Sequence, residues 1–410
     1  MKNVGILTYD FSSNYGAVLQ AWALIEKCKS FNCRAKVIRW APFYWFNNEE
    51  NDSMSVFRQK YLHRTPICFT EAELKSQARK FSIILIGGDQ VFRNNWTNTP
   101  ACSVLRYFGD FIEGKKVLAS YAASFGIDYF NGDDYLKGEV KKLLKRFDNI
   151  SVREKSGVDI LKNTFDVEGI EVLDPVFLLE TKLISEAETK TPSEDYIAYM
   201  ILNDELGLGE INSELLKILN GEKLININKS SDNNYNTVEQ WLNYVKHSKF
   251  VITDSFHCLA FAIIFRKPFI VVKRDFGGNA RIDNILEKLN LQYCARNSLE
   301  DITASDLNLE INYNDVYKII EREKQISLNY LKELLNIKPG YKKEYRNEPL
   351  AEIRKEYEIN YKKQRKNKIQ KFFKSIFSVS NYYTNYKKYK IIRFCGIKIK
   401  FSVAKLNNKE

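Results

Sequence analysis

Residues 250–273, FVITDSFHCLAFAIIFRKPFIVVK, constrain the fold more than any other stretch of this chain. Residues 250–253 form a short run of β-branched and aromatic type. The segment from Cys258 is apolar on every side, as a fully buried helix must be. Residues 269–273 return to a short apolar run. Two such runs joined by a helix read as parallel strands, because a parallel pair needs a crossover connection and a helix is the usual one. Parallel strands are covered on both faces, so helices must flank the sheet. The spacing therefore predicts a βαβ unit, with His257 at a strand-to-helix turn. Ligands of open α/β sheets bind beyond the carboxyl ends of the strands. An imidazole there titrates nearest to neutral pH of all side chains. The chain has three histidines, His63, His247 and His257, and only His257 sits at such a turn. A histidine there can also simply cap a helix or bond a nearby carbonyl.

The same alternation runs through the rest of the body. Residues 4–9 read as a strand and 10–14 as a polar loop. Residues 17–28 have helical spacing, and 35–40 read as a second strand. Asn14 is placed to cap the helix, and Gly16 allows close backbone approach to a ligand. The loop lacks the G-x-G-x-x-G pattern of dinucleotide sites. Residues 42–80 read as an irregular or helical insertion rich in aromatics. Residues 82–86 read as a strand ending at Gly87-Gly88-Asp89-Gln90, a tight turn or a close ligand contact. A strand at 116–121, a helix at 134–147, a strand at 149–152 and a helix from Lys155 follow. The polar stretch 185–195, which holds Pro192, reads as an interdomain linker. Beyond it lie strand 196–202, helix 210–219, strand 223–228, helix 238–247, strand 250–253, the buried helix, strand 269–273, helix 282–289 and a short strand near Leu291. This is an α/β chain of two doubly wound parallel sheets. Residues 1–184 form one Rossmann-like domain and 195–310 a second. A helical extension covers 311–360, where residues 316–335 have helical spacing, and a tail covers 361–410.

Charge is segregated along the chain. The net charge is +12, yet residues 361–410 hold fifteen basic residues against Glu410 alone, so the first 360 residues carry −2. A near-neutral body argues against nucleic acid as a partner. In the tail, Ile369, Phe372, Phe373, Ile376 and Phe377 fall at helical spacing among lysines, the pattern of a basic amphipathic helix on an anionic membrane surface. Residues 390–402 alternate around Cys395-Gly396 and read as a hairpin. No apolar run approaches the ~20 residues of a membrane span, and the amino terminus lacks a signal-peptide pattern. Seven scattered cysteines without a C-x-x-C pair fit reduced thiols rather than a disulfide frame or a zinc site. These features predict a cytoplasmic protein held peripherally at the inner face of the membrane. Cys258, adjacent to His257, is a weak candidate nucleophile, because neighbouring residues on a turn usually point apart.

Four segments together carry a resemblance. They are Gly5-Ile6-Leu7-Thr8 with Asn14-Tyr15-Gly16-Ala17-Val18-Leu19-Gln20, then Gly87-Gly88-Asp89-Gln90-Val91-Phe92, Ser151-Val152-Arg153-Glu154, and Val251-Ile252-Thr253-Asp254-Ser255-Phe256-His257. Their order and spacing resemble the polysaccharide pyruvyl transferase family over about residues 1–300. The resemblance implies a GT-B-like fold, two Rossmann-like domains facing a cleft. It also implies transfer of pyruvate from phosphoenolpyruvate to two sugar hydroxyls as a ketal, with no metal and no nucleotide cofactor. It assigns proton donation to His257 and donor binding to Arg153. Arg281 and Lys273 are further candidate cations for the donor, with Ser255, Asn14, Tyr15 and Gly16 around it. Asp89 and Asp254 are candidates to accept a hydroxyl proton or to orient His257, and Gly88 and Gln90 to contact the acceptor. Ser255 stands where some members carry arginine, and Cys258 where glycine is frequent. The expected partners are phosphoenolpyruvate, a lipid-linked sugar and the membrane surface. A nucleotide-sugar glycosyltransferase and a non-catalytic scaffold of glycan assembly remain the alternative readings.

Overall fold

A computed structural model of the chain describes residues 1–10, 14–41, 53–94, 104–180, 194–202, 215, 217–219, 222–229, 235–273, 279–340 and 366. It also describes the backbone of 377–383, 387–394 and 397–405. The chain divides into two compact units, Met1–Glu348 and Pro349–Glu410.

The larger unit contains two parallel sheets. In the first, β1 (Lys2–Leu7), β2 (Cys33–Val37), β3 (Ile83–Gly87) and β4 (Val117–Tyr121) take the order β2-β1-β3-β4. Single bridges from Ala119 to Asn149 and from Ala123 to Val152 extend this sheet to β5 (Ser151–Val152), which pairs with β6 (Ile170–Glu171). The second sheet, β7 (Ile197–Met200), β8 (Leu224–Asn226), β9 (Phe250–Thr253), β10 (Phe269–Val272) and β11 (Ala295–Arg296), takes the order β11-β10-β9-β7-β8. The two sheets wind in the same way. Each chain segment steps from its first strand to an edge, then returns past that strand to build the other side. The switch points therefore lie between β1 and β3 and between β7 and β9, the places where such sheets bind ligands.

The expected strands appear within a few residues, and β9 has the expected bounds. The helix expected over 17–28 is α1 (Tyr15–Ser30), capped by Asn14, whose Oδ1 accepts from Gly16 N and Ala17 N. The described residues of the insertion 42–80 include two short helices, α2 (Ser55–Tyr61) and α3 (Glu71–Ala78), the second closed by a capping box between Thr70 and Glu73. Helices α4 (Asp134–Leu144) and α5 (Lys155–Phe165) flank the first sheet. Helix α6 (Val238–His247) has the expected bounds. The helix expected from Cys258 begins two residues earlier, as α7 (Phe256–Ile264), because Ser255 caps it. Helix α8 (Ala280–Leu289) follows β10. The expected linker 185–195 lies outside the described residues apart from 194 and 195; of the expected helix 210–219, residues 215 and 217–219 are described, and 215, 217 and 218 are helical.

Helix α9 (Tyr313–Asn336) fastens both halves. Its first turns serve the second sheet, with the Tyr313 hydroxyl donating to Lys267 O and that of Tyr317 to Ile264 O. Its last turns serve the first sheet. There Leu173 N donates to Ser327 Oγ, the Tyr330 hydroxyl donates to Ser120 O at 2.8 Å, and Lys2 Nζ donates to Leu335 O. One continuous core joins the halves, including Tyr15 and Val18 of α1, Val176 and Phe177, Trp241 of α6 and Leu259 of α7.

The smaller unit holds an antiparallel meander, β12 (Phe377–Tyr383), β13 (Lys387–Phe394) and β14 (Ile397–Lys405). The expected hairpin is its β13-β14 half. Phe377, expected to continue an amphipathic helix, instead opens β12. The sequence FSVSNYY alternates polar and apolar residues at its start, a period that suits a strand better than a helix. The rest of the expected helix, apart from Lys366, lies outside the described residues.

Candidate active site

The carboxyl edges of the two sheets converge, and His257 stands at the junction. It is the second residue of α7, buried with 7% exposure. Its imidazole reaches across to the amino-terminal half. A Cβ added to Gly16 would lie 1.9 Å from its Nδ1, so only glycine at the start of α1 admits the ring. On the other side, Nε2 lies 3.6 Å from Asp174 Oδ2, an ion-pair distance just beyond hydrogen-bond length. The Phe256 ring meets the imidazole edge to face, with centroids 5.2 Å apart.

Asp174 precedes a 3-10 turn, Pro175–Leu178, and caps it through Oδ1, which accepts from Val176 N. Its Oδ2 is shared. Arg153 Nη1 donates to it at 2.7 Å, while His257 approaches the same atom. Burial works against the Asp174 charge, but the imidazole and the guanidinium outweigh it and hold the carboxyl below its usual range.

Arg153 follows β5, and its side chain is fully buried. Besides Asp174, it donates from Nη2 to Asp89 Oδ1 at 3.3 Å and from Nη1 to Gly88 O at 3.4 Å. Glu154 Oε2 lies 3.7 Å from its Nε. Three carboxylates thus converge on one guanidinium. Burial lifts the Glu154 carboxyl above its usual range despite the nearby arginines and its bonds from Ser124 and Phe125. The Phe256 ring meets two cations, with the Arg153 guanidinium carbon 5.0 Å and that of Arg281 5.5 Å from its centroid. Such contacts contribute about 2 kcal/mol when desolvated.

The structure thus brings together His257, Arg153, Asp89, Gly88 and Gly16, with Arg281 joined through Phe256. Gly88 has φ +91°, and a Cβ there would meet Gln20 Oε1 at 1.8 Å. Gln20 in turn donates to Thr8 Oγ1 and Ala17 O, tying α1 to the ends of β1 and β3. Other candidates have structural partners. Asn14 and Ser255 cap α1 and α7. Tyr15 stacks on Trp241 with centroids 5.0 Å apart, and its hydroxyl lies 2.9 Å from the carbonyls of both Asn228 and Asn236. Asp254 Oδ1 accepts from Leu202 N at 2.7 Å, and Gln90 Oε1 accepts from Arg93. Lys273 pairs with Asp283 at 2.9 Å on the surface. The Cys258 thiol is fully buried and pushed up to about 12 by that burial, which removes it as a nucleophile near neutral pH.

Asp174, the carboxylate beside His257, carries no catalytic signal in the sequence. Asp-Pro before an apolar turn reads as a cap, and its second role comes from packing between distant segments.

The family model for polysaccharide pyruvyl transferase matches residues 14–275. No curated protein matches the chain by sequence. Among solved structures, the chain is similar to the S. aureus MnaA-UDP co-structure, at 15% identity over 83% of this chain and 99% of that one, with a TM-score of 0.45. It is also similar to Arabidopsis thaliana UGT89C1, at 8% identity over 82% and 100%, TM-score 0.46. A third similarity is to a putative UDP-N-acetylglucosamine 2-epimerase from Listeria monocytogenes, at 14% identity over 85% and 98%, TM-score 0.45.

Proposed function

The chain belongs to the polysaccharide pyruvyl transferase family, and on that footing we propose that it transfers pyruvate from phosphoenolpyruvate to two hydroxyls of a sugar, with His257 as the proton donor. The observation that carries this reading is the placement of His257 where the two switch points meet, against Gly16 and beside Asp174.

The reaction follows from the donor's chemistry. An imidazolium protonates the enol methylene, which becomes a methyl group, and C2 becomes electrophilic. One sugar hydroxyl adds to C2. The C2–O bond to phosphate breaks, and phosphate leaves with the proton of that hydroxyl. The second hydroxyl closes the ketal, and its proton returns to the imidazole. The donor's carboxylate and phosphate call for cations. Arg281 supplies one beside Phe256, and Arg153 supplies another once an anion competes with its carboxylates. Asp89, 7% exposed and bonded to Arg153, is the carboxylate assigned to the acceptor side.

The acceptor in this proposal is a lipid-linked sugar of surface-polysaccharide assembly. The basic carboxy-terminal unit holds the enzyme at the inner face of the membrane. Among the described residues no helix is long and apolar enough to cross a membrane.

The test is calorimetric titration of the full chain with phosphoenolpyruvate, and separately with uridine diphosphate. Saturable binding of phosphoenolpyruvate, weakened in Arg281→Ala, supports the proposal. Binding of the nucleotide without binding of phosphoenolpyruvate overturns it in favour of a nucleotide-sugar enzyme.

A further inference from the structure

One carboxylate oxygen at this junction serves two cationic groups. Asp174 Oδ2 is fixed in space, because Oδ1 is held by Val176 N and Pro175 stiffens the turn behind it. Arg153 occupies it at 2.7 Å, and His257 Nε2 waits at 3.6 Å. The two claimants differ in their alternatives. Arg153 keeps Asp89, Gly88 O and Glu154 if it gives up Asp174. His257 Nε2 is buried and has no hydrogen-bond partner among the described residues. The imidazole cannot retreat, since Gly16 backs it at Nδ1.

We propose that Asp174 is the positioning residue for His257, and that Arg153 competes with the imidazole for its Oδ2 until the donor arrives. This inference rests on the pyruvyl-transfer reading. An anionic donor draws the Arg153 guanidinium toward its own oxygens, because a phosphate or carboxylate offers the fork a bidentate match. Asp174 Oδ2, released from Arg153, then takes a proton-bearing Nε2. A carboxylate left alone in a buried site stabilises an adjacent imidazolium. The proton comes from solvent, so donor binding and proton uptake become one event. The groups that face this imidazole support the direction. Asp174 and Gly16 come from the amino-terminal half, and Phe256 comes from α7 itself. The positive charge of Arg153 opposes protonation of this imidazole as long as it shares Asp174 Oδ2, and both Arg153 and Arg281 contact the Phe256 ring. The coupling raises the protonated share of the acid when there is a methylene to protonate.

The experiment counts protons. Phosphoenolpyruvate is titrated into the full chain at about pH 8, above the ordinary imidazole range, in two buffers of different ionisation enthalpy. The wild type is expected to take up a fraction of a proton approaching one per donor bound. Asp174→Asn and His257→Gln are each expected to bind the donor with that uptake lost, and Asp174→Glu to recover part of it. Should Asp174→Asn fail to fold, Asp174→Glu tests the role of the carboxylate, and His257→Gln, which leaves the Arg153 cluster intact, tests where the proton goes. Donor binding by the wild type without proton uptake, or uptake that survives in His257→Gln, overturns this inference while leaving pyruvyl transfer standing. Absence of donor binding by the wild type overturns the transfer reading itself, and this inference with it.

Discussion

Gly16→Ala tests the junction with a single methyl group. The new Cβ would sit 1.9 Å from His257 Nδ1 and 2.2 Å from Cγ. Restoring the 3.4 Å of ordinary contact requires the ring to move by about 1.5 Å. Helix propensity acts in the opposite direction, since alanine in α1 is favoured over glycine by ~1 kcal/mol. Overpacking of a tight site costs about 1–3 kcal/mol. The net loss is therefore between zero and about 2 kcal/mol. At ~2.1 cal/mol/K per residue, a unit of this length has an unfolding entropy near 0.7 kcal/mol/K, so Tm falls by no more than about 3 °C. Function is affected far more. A misplacement of about 1 Å in a reacting group costs on the order of 100-fold in rate, and the imidazole also leaves Asp174. The assay is melting temperature together with the phosphoenolpyruvate-dependent transfer rate. The imidazole resonances give a third readout, because the chain has three histidines. A variant with raised Tm, an unmoved His257 resonance and a wild-type rate would refute the packing argument, leaving Gly16 a mere helix-start residue.

Three further outcomes are expected. Glu154→Gln should flatten the pH dependence of stability. The Glu154 carboxyl titrates above its usual value in the folded state, so its contribution is complete below the unfolded value of about 4.3 and is lost as pH rises through the folded one. The variant should gain Tm over the wild type at neutral pH and none near pH 4, as thermal melts across that range would show; equal gains at both ends would be inconsistent with a raised value. Cys258→Ala should transfer pyruvate at the wild-type rate, and native Cys258 should resist alkylation, because its thiol is buried and its pKa is about 12; rapid native alkylation of Cys258 would contradict this. Deletion of Pro349–Glu410 should abolish co-sedimentation with anionic vesicles while sparing phosphoenolpyruvate affinity within about 2-fold, the scatter expected when a change does not couple to the site; undiminished vesicle binding would remove the tail from the membrane proposal.

Local signals made much of the body legible. The β9 run is short and β-branched, and α6 carries a capping box from Thr237 to Gln240 ahead of a periodic apolar face. Both elements have the expected bounds for those reasons. His257 was findable because a rare titratable residue followed an apolar strand. Asp174 was not, since its chemistry depends on a packing partner distant in sequence. The surroundings of Arg153 were equally hidden: the resemblance assigns it to donor binding, and the three carboxylates that engage it in the fold come from separate segments. Phe377 departs from expectation because the helical spacing of the preceding residues runs one position into an alternating strand.

The two-ended docking of α9 has a consequence for how the protein is made. Lys2, in the first strand of the sheet, bonds to Leu335, and Tyr330 packs on Tyr121 of the same sheet. The amino-terminal sheet is therefore unfinished when its own last strand leaves the ribosome. From residue 180 to the end of α9, translation at 5–20 residues per second takes roughly 8–30 s. Throughout that interval the apolar seat of Tyr330, Leu331 and Leu334 stands open. A nascent chain with such a surface is a natural client for a holding chaperone, and premature termination before residue 330 would yield a sticky half-protein rather than a working module.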